Sequence, residues 1–135
     1  LVDLHEGDTD SAIANYYKAL EITEKLGDKQ GLIAPLINLG EAYTFKKDYT
    51  KAIEYLQRAI SLSEKIDAKR QLQEALRCMY VLYKEKGDMG KALEYYEQYV
   101  ALTLELKGED VVRKIASLEF EYKIEKKEQE VKLER

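Results

Sequence analysis

The sequence predicts an all-α protein, a solenoid of antiparallel helix pairs followed by a long C-terminal helix. One motif recurs with a period of about 40 residues, and a fixed period of this size is typical of stacked repeats. Its copies are Gly7-Asp8 with Ala12-Ile13, Lys47-Asp48 with Ala52-Ile53, and Gly87-Asp88 with Ala92-Leu93. Apolar residues between these turns follow the three-four spacing of a helix. One proline and 36% charged residues favour long, solvent-exposed helices over sheets or disorder.

The first two helices are predicted on either side of Gly27-Asp28. Thr9 or Asp10 can cap a helix that runs to about Leu26. Gly27 suits the left-handed end of that helix, and Asp28 can cap the next one, over residues 29–46. Pro35 falls inside this second span, where it removes a backbone donor and clashes with an earlier carbonyl. We therefore expect the second helix to start near Leu32 or to have a loosened first turn.

The remaining helices follow from the same turn signals. The predicted spans are 50–66, 69–86, 89–106 and a last helix from about 109. Lys107-Gly108 is expected to break the chain between the last two. This divides the protein into a repeat array over residues 1–106, with its first repeat truncated, and a capping or linker helix over residues 107–135.

The core is predicted from residues that recur at equivalent positions. Small residues are expected where two helices cross, and large residues one turn later fill the gap to the next helix. These are Ala12, Ala52 and Ala92, with Tyr16, Leu56 and Tyr96. Most of the eleven tyrosines lie at core spacing, so packing explains them better than an aromatic binding site does.

Several classes of function are excluded by composition. His5 is the only histidine and Cys78 the only cysteine, so no metal site or disulfide is expected. No glycine-rich phosphate loop or catalytic constellation is present, and neither an enzyme nor a cofactor is predicted. A net charge of −4 gives no footprint for nucleic acid, and no apolar run is long enough for a membrane span. The sequence lacks an initiator methionine, so we expect a piece of a longer chain, either cytoplasmic or periplasmic.

The repeated residues resemble the tetratricopeptide repeat over residues 1–106. The resemblance rests on Leu36-x-x-Leu39-Gly40-x-x-Tyr43 followed by Tyr49-x-x-Ala52-x-x-x-Leu56-x-x-Ala59, with a second copy from Leu76 to Tyr99. The period is longer than is usual for this repeat, and Tyr80 replaces the small residue that Gly40 supplies. HEAT-type repeats fit the period better by length and remain the alternative. The resemblance implies a right-handed superhelix that binds a protein or peptide in its concave groove.

The same resemblance implies which residues line that groove, because the first helix of each pair faces it. The candidate partner-binding residues are Asn38, Glu41, Phe45, Arg77, Val81, Lys84 and Lys114. Asn38 can hydrogen-bond an extended peptide, and Arg77 can clamp a carboxylate bidentately. The two-lysine, two-asparagine clamp of repeats that bind chaperone C-termini is not reproduced, since matched positions hold Ile37, Glu41 and Val81.

The tail, residues 107–135, leaves two interpretations open. It holds eight basic and eight acidic residues, several paired four apart as helix-stabilising ion pairs. Its apolar residues can cap the array, or they can pair with a second copy in a homodimer. The run from Ile115 to Val131 resembles the linker helix of bacterial sensor proteins that carry repeat arrays. The sequence thus favours the sensory segment of a bacterial signalling protein, with a free-standing adaptor as the alternative.

Overall fold

The computed structural model describes residues 6–134, and this part of the chain is helical apart from the short turns between helices. It contains five helices: α1 Glu6–Leu26, α2 Lys29–Phe45, α3 Tyr49–Lys65, α4 Lys69–Lys86 and α5 Met89–Glu134. The chain forms two compact units, the first ending at Leu102 and the second starting at Thr103. Helices α1 to α4 and the start of α5 belong to the first unit, where short turns make successive helices antiparallel.

The turns recur at half the period seen in the sequence. Left-handed backbone occurs at positions 27, 47, 67 and 87, where φ is 69°, 64°, 57° and 89°. Glycine occupies the first and last of these positions. Lys47 and Asp67 adopt the same conformation, although it costs a residue other than glycine about 1 kcal/mol. The carboxylates of Asp28, Asp48 and Asp88 then accept hydrogen bonds from the backbone N–H three residues on, at 3.0, 3.3 and 3.2 Å.

Helix α2 begins at Lys29, so the expected start near Leu32 is wrong. Pro35 lies inside the helix and is buried. Two features offset its cost. The Asp28 cap secures the first turn by accepting from Gly31, and the turn around Pro35 buries Ile33 and Leu36, which are 0% and 1% exposed. Burial of large aliphatic side chains stabilises by about 1.5–3 kcal/mol each, so the two together match or exceed the cost of about 3 kcal/mol for a proline inside a helix.

The expected break at Lys107-Gly108 is also wrong, because α5 continues through it and is 46 residues long. A single glycine within a helix costs only about 1 kcal/mol relative to alanine. The glycines that do end helices, Gly27 and Gly87, are each followed by a capping aspartate. Gly108 is followed by Glu109 and Asp110, which pair with Arg113 one turn on, at 3.8 and 3.5 Å, within the same helix.

The core of the first unit is built around α2, which contacts α1, α3 and α4. Of the three alanines predicted at helix crossings, Ala52 and Ala92 are buried, at 0% and 1% exposed, and Ala12 is half-buried. Tyr96, which was expected to fill the gap to a following helix, is 43% exposed, and Leu93 on the same helix is 57% exposed. The first unit ends within α5, so no further helix of that unit follows to cover them.

A tyrosine seam joins successive repeats. Tyr43 and Tyr55 stack with ring centroids 5.9 Å apart, and their equivalents one repeat later, Tyr83 and Tyr95, stack at 5.6 Å. The hydroxyl of Tyr17 lies 2.9 Å from that of Tyr43 and 2.7 Å from that of Tyr55. Gln57, at the position one repeat after Tyr17, donates from Nε2 to the Tyr95 hydroxyl at 3.0 Å. The four tyrosines of the two stacks thus serve packing between helices, as predicted.

Candidate partner-binding groove

Helices α2 and α4 contact each other and line an open cavity of about 280 Å³. Its walls are Ala34, Ile37, Asn38 and Glu41 from α2, and Arg70, Gln71 and Glu74 from α4. Pockets for drug-sized ligands begin at about 300 Å³, so this cavity suits one or two side chains of an extended segment. Asn38 and Glu41 were predicted to line a groove, and the structure places both in this cavity.

Next to the cavity lies a charge cluster formed by Glu41, Glu74, Arg77 and Cys78. Arg77 donates to both oxygens of Glu74, from Nε at 3.2 Å and from Nη2 at 2.5 Å. Nη2 also lies 3.6 Å from Glu41 Oε1, which connects α4 to α2. The hydrogen bonds to Glu74 raise the pKa of Arg77 further above its ordinary value. The guanidinium therefore stays charged and bonded to carboxylates of its own chain.

This cluster changes the expected role of Arg77. The bidentate edge of its guanidinium was predicted to clamp a carboxylate of the partner. In the structure that edge holds Glu74, one turn earlier on the same helix. The Glu74–Arg77 spacing of three is itself a sequence signal for such a pair. A partner carboxylate would have to compete with Glu74 for this edge.

Cys78 completes the cluster as a buried thiol, 4% exposed. Its Sγ donates to Glu41 Oε1 at 3.3 Å and lies 3.9 Å from Glu74 Oε1. Burial, with a contribution from the Glu41 charge, raises the pKa of the thiol well above its ordinary value. The two carboxylates and the thiol have ligand atoms within 4.8 Å of one another. They do not make a good metal site, because the positive charge of Arg77 lies against both carboxylates and repels a cation, and the buried thiol would have to lose its proton to bind one.

Matches to known protein families fall on the repeats described above. Two family models described as tetratricopeptide repeat match the chain, one over residues 1–65 and one over residues 81–105. The chain belongs to the tetratricopeptide repeat family. No curated protein matches it. Tetratricopeptide repeats generally mediate protein–protein interactions and are typically non-catalytic scaffolds.

The other predicted groove residues lie outside the cavity wall. Phe45 is 51% exposed at the end of α2, and Val81 is half-buried on α4. Lys84 is exposed, with its Nζ 5.8 Å from the ring centroid of Tyr80. Lys114 is an exposed residue of the second unit. His5, the only histidine, lies outside the described residues.

A second cavity of the array was missed by the sequence interpretation. It measures about 470 Å³ and lies between α2 and α3. Its walls are Lys29, Leu32, Leu36, Gln57, Arg58, Ser61, Leu62 and Lys65. Leu36 is buried, whereas Leu32 is only half-buried. The sequence signal for this cavity was the set of three cations on its wall, Lys29, Arg58 and Lys65, of which Arg58 pairs with Glu24 at 3.4 Å.

No helix among the described residues is both long enough and apolar enough to cross a bilayer.

Proposed function

We propose that this tetratricopeptide array binds an extended segment of a partner protein across the groove between α2 and α4. The observation that carries the proposal is the cavity between these helices, with Asn38 on one wall and Gln71 on the other. A side-chain amide both donates and accepts, which matches the alternating N–H and C=O groups of an extended backbone. Two amides facing one another across a cleft can hold such a backbone on both sides.

The charge of the groove supports a neutral or polar segment. Glu41 and Glu74 on its wall are matched by Arg70 on the wall and by Arg77 beside it. A C-terminal carboxylate would gain little from Arg77, because that cation is already paired with Glu74. Specificity for main-chain groups and one or two uncharged side chains follows from this balance.

The finer part of the proposal is that the array is the sensory segment of a bacterial signalling protein. Its support is the continuity of α5, a single 46-residue helix that starts in the first unit and forms the second. A helix without a hinge can pass a change at one end directly to the other. The alternative is a free-standing adaptor, in which residues after Leu102 only end the array.

Binding can be tested with a random peptide display library panned against the immobilised chain. The affinities of selected peptides are then measured for the wild type, Asn38→Ala and Asn15→Ala. Asn15 is an exposed asparagine of α1 outside the groove and serves as the matched control. We expect Asn38→Ala to lose affinity and Asn15→Ala to keep it. Equal affinity for all three proteins would remove the α2–α4 groove from the proposal.

The sensor and the adaptor differ in what binding does to the tail. Dyes attached through Lys132→Cys report energy transfer between the tails of two copies, with and without a selected peptide. A sensor predicts that the peptide changes the transfer, and that Gly108→Pro, which breaks α5, abolishes the change while binding persists. Transfer that is the same with and without bound peptide would favour the adaptor.

A further inference from the structure

We propose that the second unit pairs with a second copy of this chain as a parallel, in-register, two-stranded coiled coil over residues 104–126. The proposal rests on the sensor proposed above and adds that two tails pair, together with the segment, the orientation and the register. All the residues that carry it lie in the second unit.

The first observation is an exposed apolar stripe on α5. Leu104, Val111, Ile115, Leu118 and Tyr122 are between 50% and 65% exposed. With Gly108 they follow one another at steps of four, three, four, three and four residues, which is the heptad spacing of a coiled-coil seam. Leu104, Val111 and Leu118 fall on the d positions, and Gly108, Ile115 and Tyr122 on the a positions. Within a parallel coiled coil, Ile115 at a and Leu118 at d form the combination that favours two strands.

The second observation is the charge beside this stripe. Lys114 and Glu121 precede the a positions, while Glu119 and Lys126 follow the d positions. In a parallel pair, a residue that precedes an a position in one copy lies beside the residue five positions later in the other copy. Lys114 then meets Glu119, and Glu121 meets Lys126, so both contacts join opposite charges. By symmetry each contact forms twice.

An antiparallel pair does not satisfy the stripe and the charges together. Placing Leu104 opposite Tyr122 matches the whole stripe and brings Lys107 to Glu121. The same register sets Glu105 against Glu119 and Lys114 against the same residue of the other copy, so like charges also meet. Shifting the pair by one heptad brings opposite charges together. That shift places Leu104 opposite Gln129 and Gly108 opposite Glu125, so the outer layers lose apolar contact. The parallel register is the arrangement that meets both conditions.

The number of apolar layers in the seam determines how tightly two copies are expected to pair. After Tyr122 the heptad positions hold Glu125 and Gln129, so the apolar seam ends there. A seam of five apolar layers and one glycine gives a weak pair that forms as concentration rises. The measurement is the solution mass of the full chain by sedimentation equilibrium over a range of concentration.

The variants are matched for exposure. Ile115→Lys places a charge in the seam and should keep the chain monomeric throughout, with helical content checked by circular dichroism. Phe120→Lys changes a residue that is 65% exposed but lies off the seam, and should pair like the wild type. A wild-type mass that stays monomeric at all concentrations overturns the proposal. So does an equal loss of pairing in both variants.

Orientation is tested by charge exchange and by cross-linking. Lys114→Glu should weaken pairing, and Glu119→Lys added to it should restore pairing, whereas rescue by Glu121→Lys instead would indicate the antiparallel pair. Leu118→Cys in a Cys78→Ser background should form a covalent dimer on oxidation, because position 118 meets itself only in the parallel register. Peptide binding is scored separately. Its loss in Asn38→Ala is independent of pairing, so failure of the coiled coil leaves the groove untouched.

Discussion

Replacing Gly40 with alanine should destabilise the first unit, although alanine is the better helix former. A Cβ at Gly40 would overlap Leu56 Cγ and would lie 2.6 Å from Leu56 Cδ2. Favourable carbon–carbon contacts lie at about 3.5–4.0 Å, so the second contact alone is short by about 1 Å. Leu56 is 0% exposed and cannot turn into solvent. Overpacking costs about 1–3 kcal/mol, here near the upper end, while helix propensity returns at most about 1 kcal/mol.

The net loss is therefore about 2 kcal/mol, which lowers Tm by roughly 10 °C for a unit of this size. Urea unfolding followed by far-ultraviolet circular dichroism measures it as a lower midpoint with an unchanged slope. Gly108→Ala is the control, since no atom lies within 4 Å of the added Cβ and only the propensity gain remains.

A double-mutant cycle isolates the contact. Leu56→Ala alone leaves a cavity and costs about 2–5 kcal/mol. In that background the methyl group of Gly40→Ala has room, so the same substitution should become neutral or stabilising. If Gly40→Ala destabilises equally with and without Leu56, or stabilises the wild type, the steric explanation is refuted.

Three further outcomes are expected. Ser63 is 0% exposed, and its Oγ has no hydrogen-bond partner within the described residues, so Ser63→Ala should raise the free energy of unfolding by about 1 kcal/mol; a decrease would reveal a partner. Burial, then hydrogen bonds with Tyr43 and Tyr55, raise the pKa of Tyr17. The folded state then holds this proton more tightly than the unfolded chain, whose tyrosine pKa is about 10, so stability should fall as pH rises above about 10. Tyr17→Phe should flatten that fall in alkaline urea titrations, and an unchanged slope would contradict it. Burial raises the pKa of Cys78, so a thiol reagent at pH 8 should label it only as fast as the chain unfolds; rapid labelling of the folded protein would count against the buried cluster.

The departure of Tyr80 from the repeat pattern shows what a sequence comparison misses. Gly40 leaves room for Leu56, and the equivalent pair one repeat later is Tyr80 and Tyr96, whose ring centroids lie 4.8 Å apart. Gly40 is small and its partner Leu56 is a buried aliphatic residue, whereas Tyr80 is large and its partner Tyr96 is a partly exposed aromatic residue. The sequence shows that both residues change from one repeat to the next. Only the structure shows that the two residues of each pair contact one another.

Part of the lining of the groove could be expected from the sequence. Asn38 and Glu41 lie on the cavity wall, on the face of α2 that the resemblance to a repeat of known helix order indicates, and their binding of a partner stays a prediction. Arg77 lies beside the cavity and is bonded to Glu74. The paired state of a cation depends on which carboxylates lie within about 4 Å, and Glu41 reaches Arg77 from the preceding repeat.

The sequence by itself determined helices α2, α3 and α4 of this protein. The spans of α2, α3 and α4 end within a residue or two of their predicted ends, because each helix is followed by its own left-handed turn. Such signals act between neighbours in the chain and need no tertiary contact.

The tertiary structure decided which side chains of these helices contact one another and which stay exposed. It placed Gly40 against Leu56, brought Glu41 of α2 to 3.6 Å from Arg77 of α4, and left Leu93 exposed at the edge of the first unit. These outcomes depend on atoms brought together from different helices and repeats. A local sequence pattern does not carry that information.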